Sequence, residues 1–195
     1  TLGMMTLLRG VILVYTKGSP IPIKSDAYKF FGKGSIAGIP VPVIILIIVF
    51  LLAHYILTQT SYGRSVYAVG GNREAARLSG IRVKTSEFLV YTLNGLMCGM
   101  AGLILTARLG SAQSTSGTGI EMDAIAAVIL GGTSLSGGVG FVLPTVVGAM
   151  IMGIIDNILT LMNVNPHATN IVKGAVILIA VLVDKKVKDL SAKAE

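Results

Sequence analysis

The run Pro40–Leu57 (PVPVIILIIVFLLAHYIL) contains no charged residue. A helix needs about 20 apolar residues to cross the hydrocarbon core of a bilayer, where no water can bond to the backbone. Other apolar runs occur at Thr1–Tyr15, Phe88–Ala107, Asp123–Leu130, Phe141–Met162 and His167–Val183. The pattern predicts an all-α, polytopic membrane helix bundle with about five to six transmembrane segments.

The composition supports a membrane protein, because only 13% of the residues are charged and 53% are hydrophobic. About a quarter of the residues are charged in soluble domains. The single cysteine, Cys98, excludes a disulfide framework or a cysteine-based metal site within the chain. We interpret the apolar run Thr1–Tyr15 as the later part of a membrane helix. We therefore expect the chain to be a piece of a longer protein.

One polar stretch, Ser61–Lys84, which we call the basic segment, is dense in positive charge. Its charged residues are Arg64, Arg73, Arg77, Arg82 and Lys84 against one acid, Glu74. Basic loops between membrane spans face the cytoplasm. We therefore expect a cytoplasmic loop over residues 58–86 and a cytoplasmic tail over residues 184–195. We attribute the net charge of +7 to cytoplasmic loops of a membrane protein and not to nucleic acid, since no basic face is interleaved with aromatic residues.

The middle of the basic segment carries the signals of a short helix. Asn72 can cap its start with the side-chain oxygen, and Gly80 suits the left-handed position after its end. Glu74 lies in the first turn, where the helix dipole favours an acid. A helix of two turns is not stable alone in water. It must therefore be held by packing against its own spans or against another protein.

Several polar residues lie at membrane depth and are candidates to line a translocation path. We take Asn94, Glu121, Asp123 and Asn157 as the candidates. Asp156 and Lys173 fit either an interfacial or paired charge or part of the path. The Asp123–Leu130 segment either crosses the membrane or is re-entrant. The Gly131–Gly140 stretch is either a tight turn between helices or a broken-helix gate.

The sequence carries no pattern typical of an enzyme or of a bound cofactor. A phosphate-binding P-loop needs G-x-x-x-x-G-K-[ST]. The Gly32–Lys33 pair has Ala27 at the first glycine position and is followed by Gly34. Neither histidine has a catalytic or metal-binding partner nearby in the sequence. We expect no catalytic residue, no metal and no cofactor.

Four stretches of the chain resemble the permease subunits of bacterial ABC sugar importers, and the ribose type is the most similar. They are residues 67–81 (YAVGGNREAARLSGI), 111–140 (SAQSTSGTGIEMDAIAAVILGGTSLSGGVG), 1–20 (TLGMMTLLRGVILVYTKGSP) and 171–186 (IVKGAVILIAVLVDKK). The resemblance covers essentially the whole chain in order. It implies the C-terminal half of a type II-like permease domain in the bacterial cytoplasmic (inner) membrane.

The resemblance also implies partners and site residues. Such a permease pairs with a second copy, docks cytoplasmic ATP-binding subunits that hydrolyse ATP, and receives sugar from a periplasmic binding protein. The coupling element that meets the ATPase corresponds to Gly70, Gly71, Asn72, Arg73, Glu74, Ala75, Ala76, Arg77, Leu78, Gly80 and Ile81. An Ala75/Ala76 surface would enter a groove on the ATPase, and Arg73 and Arg77 would meet its acidic groups.

The function expected from this resemblance is ATP-driven import of a monosaccharide, with ribose as the leading substrate. Two alternatives remain open at this stage. One is a non-transporting membrane scaffold or half-permease fragment that binds partners through the same segment. The other is a permease of the same family for another sugar or an amino acid.

Overall fold

The structure, a computed structural model, describes the backbone of residues 2–192, and the fold in this part of the chain is all-α. The helices are α1 (Leu2–Thr16), α2 (Asp26–Lys33), α3 (Val41–Gln59), α4 (Ser61–Gly71), α5 (Arg73–Leu78), α6 (Val83–Leu109), α7 (Ile120–Leu130), α8 (Val142–Leu161) and α9 (Pro166–Ala192). The short strands are β1 (Ile21–Pro22), β2 (Ser35–Ile36), β3 (Ile39–Pro40) and β4 (Ser111–Ala112). The predicted all-α class is confirmed.

Three helices are long and apolar enough to cross a membrane: α3, α6 and α8. At 1.5 Å per residue, the 19 residues of α3 extend about 28 Å, close to the thickness of the hydrocarbon core. Shorter apolar stretches lie in Gly3–Thr16 and Ala168–Leu182. The 11 residues of α7 extend only about 16 Å, so this helix alone cannot cross.

The chain divides into two compact units, and the first comprises Thr1–Leu51 and Phe88–Thr118. In it the segment after α1 folds back on the end of α6. The Tyr28 hydroxyl lies 2.7 Å from Thr106 Oγ1, and β1 pairs antiparallel with β4. The segment between α1 and α3 is not a plain loop, since α2 and the β2–β3 hairpin form within it. The hairpin turns at Ala37 and Gly38, which both have positive φ as a type I′ turn requires.

Helix α6 carries a face of small residues that has no neighbour in the first unit as the structure describes it. A Cβ added at Gly95 or Gly99 would meet nothing within 4 Å. The sequence pattern for close packing is present, because glycines four residues apart lie on one helix face. The structure leaves this face exposed.

The second unit comprises Leu52–Glu87 and Gly119–Glu195, and its core lies where α7, α8 and α9 meet. Ala126, Ala127 and Met152 are buried there, with Val176 of α9 packed against them. Glycines bring α7 and α8 into backbone contact. A Cβ on Gly131 would lie 2.6 Å from Thr145 Cα, a distance that real side chains do not adopt. The close approach explains why small residues occupy this crossing.

The predicted ends of several elements need correction. Helix α6 begins at Val83, five residues before the predicted span, so Lys84 lies in its first turn and not in a loop. Helix α9 continues to Ala192, so most of the predicted tail 184–195 is helical backbone. Residues 193–195, and Thr1 at the other end, lie outside the described part of the chain.

Candidate functional site

The basic segment folds into two helices and not one. Thr60 begins α4, because its side-chain oxygen accepts a hydrogen bond from the Gly63 amide at 3.2 Å. Asn72 separates the two helices: its amide donates to Ala68 O at the end of α4. Its side-chain Oδ1 accepts from the Ala75 amide at 3.0 Å, which confirms the predicted cap of α5. The prediction of a single helix missed α4.

The end of α5 is closed by a complete Schellman motif. The Ile81 amide donates to Ala76 O and the Gly80 amide donates to Arg77 O, each at 3.1 Å. Gly80 has φ +83°, the left-handed conformation expected of it. A six-residue helix with both ends capped can keep its shape although it is short.

Helix α5 has one buried and one exposed face. Ala76 is only 4% exposed, whereas Leu78 is 83% exposed. The expected Ala75/Ala76 docking surface is therefore wrong, because Ala76 packs inward. Ala75 is exposed and lies three residues before Leu78, on the same helix face. Ala75 and Leu78 are thus exposed apolar residues on one face of α5.

The arginines of α5 already have carboxylate partners within the chain. Arg73 Nη2 lies 3.0 Å from Glu87 Oε2, and Arg77 Nη2 lies 3.1 Å from Glu74 Oε2. All four side chains are more than a third exposed, so each pair is weak and can exchange partners. Glu74, expected to favour the helix dipole, also serves as the partner of Arg77.

The end of α4 packs on the Gly131–Gly140 stretch, which we call the glycine turn. The Tyr67 hydroxyl donates to Gly140 O at 2.9 Å. A Cβ on Gly70 would lie 2.9 Å from Gly138 N, so the two backbones touch directly. Gly137 and Gly138 have φ +87° and +77°, which favours glycine at both positions. The turn alternative for this stretch is supported, and the sequence had given no sign of its contact with α4.

A charged cluster joins three helices of the second unit. Lys173 Nζ of α9 lies 2.8 Å from Asp123 Oδ2 of α7 and 2.9 Å from Asp156 Oδ1 of α8. The Lys173 side chain is 17% exposed. Charges at this depth need a partner, because the apolar surroundings solvate them poorly. The paired-charge alternative for Asp156 and Lys173 is confirmed.

The structure brings only one of the four expected path residues into this cluster, namely Asp123. Glu121 is half-buried, and its carboxylate accepts from the Gly119 amide at 3.2 Å. Asn157 is exposed on α8 and lies in an open groove of about 410 Å³ with Met150, Gly153 and Ile154. Asn94 is exposed on α6 in the first unit.

A cavity of about 670 Å³, larger than that groove, lies in the second unit beside the contact of α4 with the glycine turn. Its wall is mainly apolar, and its polar residues are His54, Thr58, Arg64 and Tyr67. The described residues contain no group of three or more His, Cys, Asp or Glu side chains arranged to hold a metal ion.

Comparison with known proteins covers nearly all of the chain. The chain is 53% identical over 190 residues to the ribose import permease protein RbsC of Escherichia coli (strain K12). It is 50% identical over 188 residues to the protein of the same name from Bacillus subtilis (strain 168). Each alignment covers 95% of this chain, but 59% and 58% of those proteins.

A third relative is the xylose transport system permease protein XylH of Escherichia coli (strain K12), 48% identical over 151 residues. That alignment covers 77% of this chain and 38% of that protein. No solved structure matches the chain. Residues 1–181 match the family described as branched-chain amino acid transport system, permease component. The chain belongs to this family of membrane permease components.

Proposed function

We propose that the chain is part of the membrane-spanning permease subunit of an ATP-driven ABC importer for a monosaccharide, with ribose as the leading substrate. The observation that carries the proposal is α5, a helix with both ends capped that exposes Leu78 between the membrane helices α3 and α6. The names of the ribose and xylose relatives favour a sugar over the amino acid in the family description.

Helix α5 is the proposed docking point of a cytoplasmic ATPase subunit. An exposed leucine beside the small side chain of Ala75 is suited to a shallow apolar groove. The exposed ion pairs of Arg73 and Arg77, which can exchange carboxylate partners, supply a polar rim around this apolar contact. The ATPase hydrolyses the ATP, because the sequence of this chain contains no P-loop.

The proposed topology puts residues 58–86 on the cytoplasmic side of the bacterial inner membrane. The Tyr67–Gly140 hydrogen bond supports a position of the glycine turn on that same side. Helix α8 then runs outward and α9 returns, so that residues 184–195 are cytoplasmic, in agreement with their lysines. Helix α7 approaches the glycine turn from the outer side. Its 11 residues are long enough to cross only part of the membrane.

Sugar is delivered by a periplasmic binding protein and passes along a path that this chain lines only in part. Asn94, Glu121, Asp123 and Asn157 remain the proposed polar residues of the path. Hydroxyl groups of a sugar bond well to such amide and carboxylate oxygens. The rest of the path comes from a second permease copy and from residues equivalent to the part of the relatives that the alignments leave uncovered.

The docking proposal is tested by copurification of the cognate ATPase with variants of α5. Leu78→Asp and Ala75→Arg should each reduce the captured ATPase at least about tenfold, because each puts a charge into the apolar contact. The matched control is Ser35→Arg, at an exposed residue before α3. In the proposed topology α3 crosses from the outer side to residues 58–86, so Ser35 lies away from the ATPase. Docking that survives both α5 variants would refute the assignment.

A second candidate function is a membrane scaffold that binds the ATPase without moving sugar. The alignment with the Escherichia coli ribose relative covers 59% of that protein, and this chain lines the proposed path only in part. Uptake of labelled ribose by membranes that carry the chain and its partners decides between the two. Stable expression and ATPase docking without uptake would favour the scaffold, and uptake of xylose or a branched-chain amino acid would replace ribose as the substrate.

A further inference from the structure

We propose that the contact of Gly70 with Gly138 transmits movement of α5 to the helix pair α7–α8. The inference rests on the proposed docking of α5. It assigns a positioning role to Gly70, Gly138 and Tyr67. Gly70 is thereby separated from the surface that meets the ATPase.

The first support is the nature of the contact. A Cβ on Gly70 would lie 2.9 Å from Gly138 N, and a Cβ on Gly138 would lie 2.9 Å from Gly71 Cα. The two main chains therefore meet without intervening side chains. Side chains can absorb a displacement by changing rotamer, whereas two main chains in contact must move together or separate.

The second support is the continuity of the chain on each side of the contact. Asn72 is bonded to the end of α4 and caps the start of α5, so a shift of α5 pulls directly on Gly70 and Gly71. On the other side, the glycine turn joins the end of α7 to the start of α8. A displacement of α5 thus reaches both helices through a single contact.

The third support is the rigidity of what lies beyond the turn. Gly131 is in backbone contact with Thr145, so α7 and α8 move as a pair. The cluster of Asp123, Asp156 and Lys173 joins this pair to α9, with Asp123 about 12 Å along α7 from the turn. Contiguous packed elements of this kind can carry coupling between distant sites.

Tyr67 fixes the position of α4 relative to the glycine turn at the same contact. Its hydroxyl donates to Gly140 O at 2.9 Å, one helical turn before Gly70 and Gly71 on α4. The turn is also ordered internally, because the Ser134 amide donates to Val139 O and the Gly137 amide donates to Ser134 O. These two amides report on the glycine turn alone.

The test measures hydrogen–deuterium exchange of the Ser134 and Gly137 amides in the permease complex with its cognate ATPase. Wild-type exchange should change at least about fivefold when a non-hydrolysable ATP analogue is added, the lower end of typical coupling between sites. Gly70→Ala should abolish this change while the ATPase still copurifies. Gly99→Ala is the matched control, because the same substitution on α6 adds a Cβ that would meet nothing within 4 Å.

An exchange response in Gly70→Ala equal to that of Gly99→Ala would overturn the inference. If Gly70→Ala lowers the amount of folded protein, Tyr67→Phe takes its place, since it removes only one hydroxyl. A wild-type response in Tyr67→Phe would then overturn the proposal. Failure of the wild-type chain to capture the ATPase would refute the proposed function, and with it this inference. Intact docking without an exchange response would refute the transmission alone.

Discussion

Lys173 Nζ lies 2.8 Å from Asp123 Oδ2, and this ion pair joins α9 to α7 across 50 residues of sequence. The same ammonium contacts Asp156 of α8. One cation thus holds three helices of the second unit together. The cluster carries two carboxylates against one ammonium, so loss of the lysine would leave both acids without this partner.

We expect Lys173→Met to lower the free energy of unfolding of the solubilised protein by roughly 2 kcal/mol. This is less than the 3–5 kcal/mol typical of fully buried pairs, because the carboxylates are partly exposed. Thermal unfolding in detergent measures the change. The triple variant Lys173→Met, Asp123→Asn, Asp156→Asn should recover much of the loss, since no charge is then left unpaired.

The matched control for the cluster is Lys29→Met, at the exposed pair of Lys29 with Asp26. Removal of a surface pair should change the free energy of unfolding by less than about 0.5 kcal/mol. Equal effects of Lys29→Met and Lys173→Met would show that the cluster does not hold the helices together.

Asn72→Ala should destabilise α5 by about 1 kcal/mol, because the Ala75 amide loses its side-chain acceptor. We expect ATPase capture to fall about fivefold, in proportion to the loss of preformed helix. Asn72→Asp keeps the acceptor and should bind as wild type does. Copurification titrations measure both, and normal capture by Asn72→Ala would mean that the cap is not needed for docking.

Gly148→Ala should disrupt the crossing of α7 and α8, since the added methyl would collide with Ala127 O. The expected cost is about 1–3 kcal/mol, as for other overpacked sites. Gly153→Ala lies on the same helix, where a Cβ meets nothing within 4 Å, and should be neutral or slightly stabilising. Melting temperatures of the two variants give the comparison. A neutral Gly148→Ala would contradict the backbone contact.

Asn94→Leu and Asn157→Leu should each lower sugar uptake without lowering the amount of protein in the membrane. Both side chains are exposed in the structure, so leucine creates no clash inside either unit. Labelled-ribose uptake, normalised to membrane abundance, measures the effect. Met150→Leu, in the same groove as Asn157, is the apolar control. Uptake unchanged by a variant removes that asparagine from the proposed path.

The sequence alone predicted the membrane class, the principal apolar helices and the capped helix that begins after Asn72. These features depend on local chemistry. An apolar run must satisfy its own backbone in lipid, and a cap bonds to an amide three residues away. The predicted Gly80 conformation followed equally from its position after the last helical turn.

Only the tertiary structure decided which surfaces meet. Whether Ala75 or Ala76 faces inward depends on where α5 packs, and neighbouring small residues look alike in sequence. The contact of Gly70 with Gly138 and the pairing of Lys173 with Asp123 join positions 68 and 50 residues apart. Such contacts depend on how the helices pack in space, and no local pattern of residues specifies that arrangement.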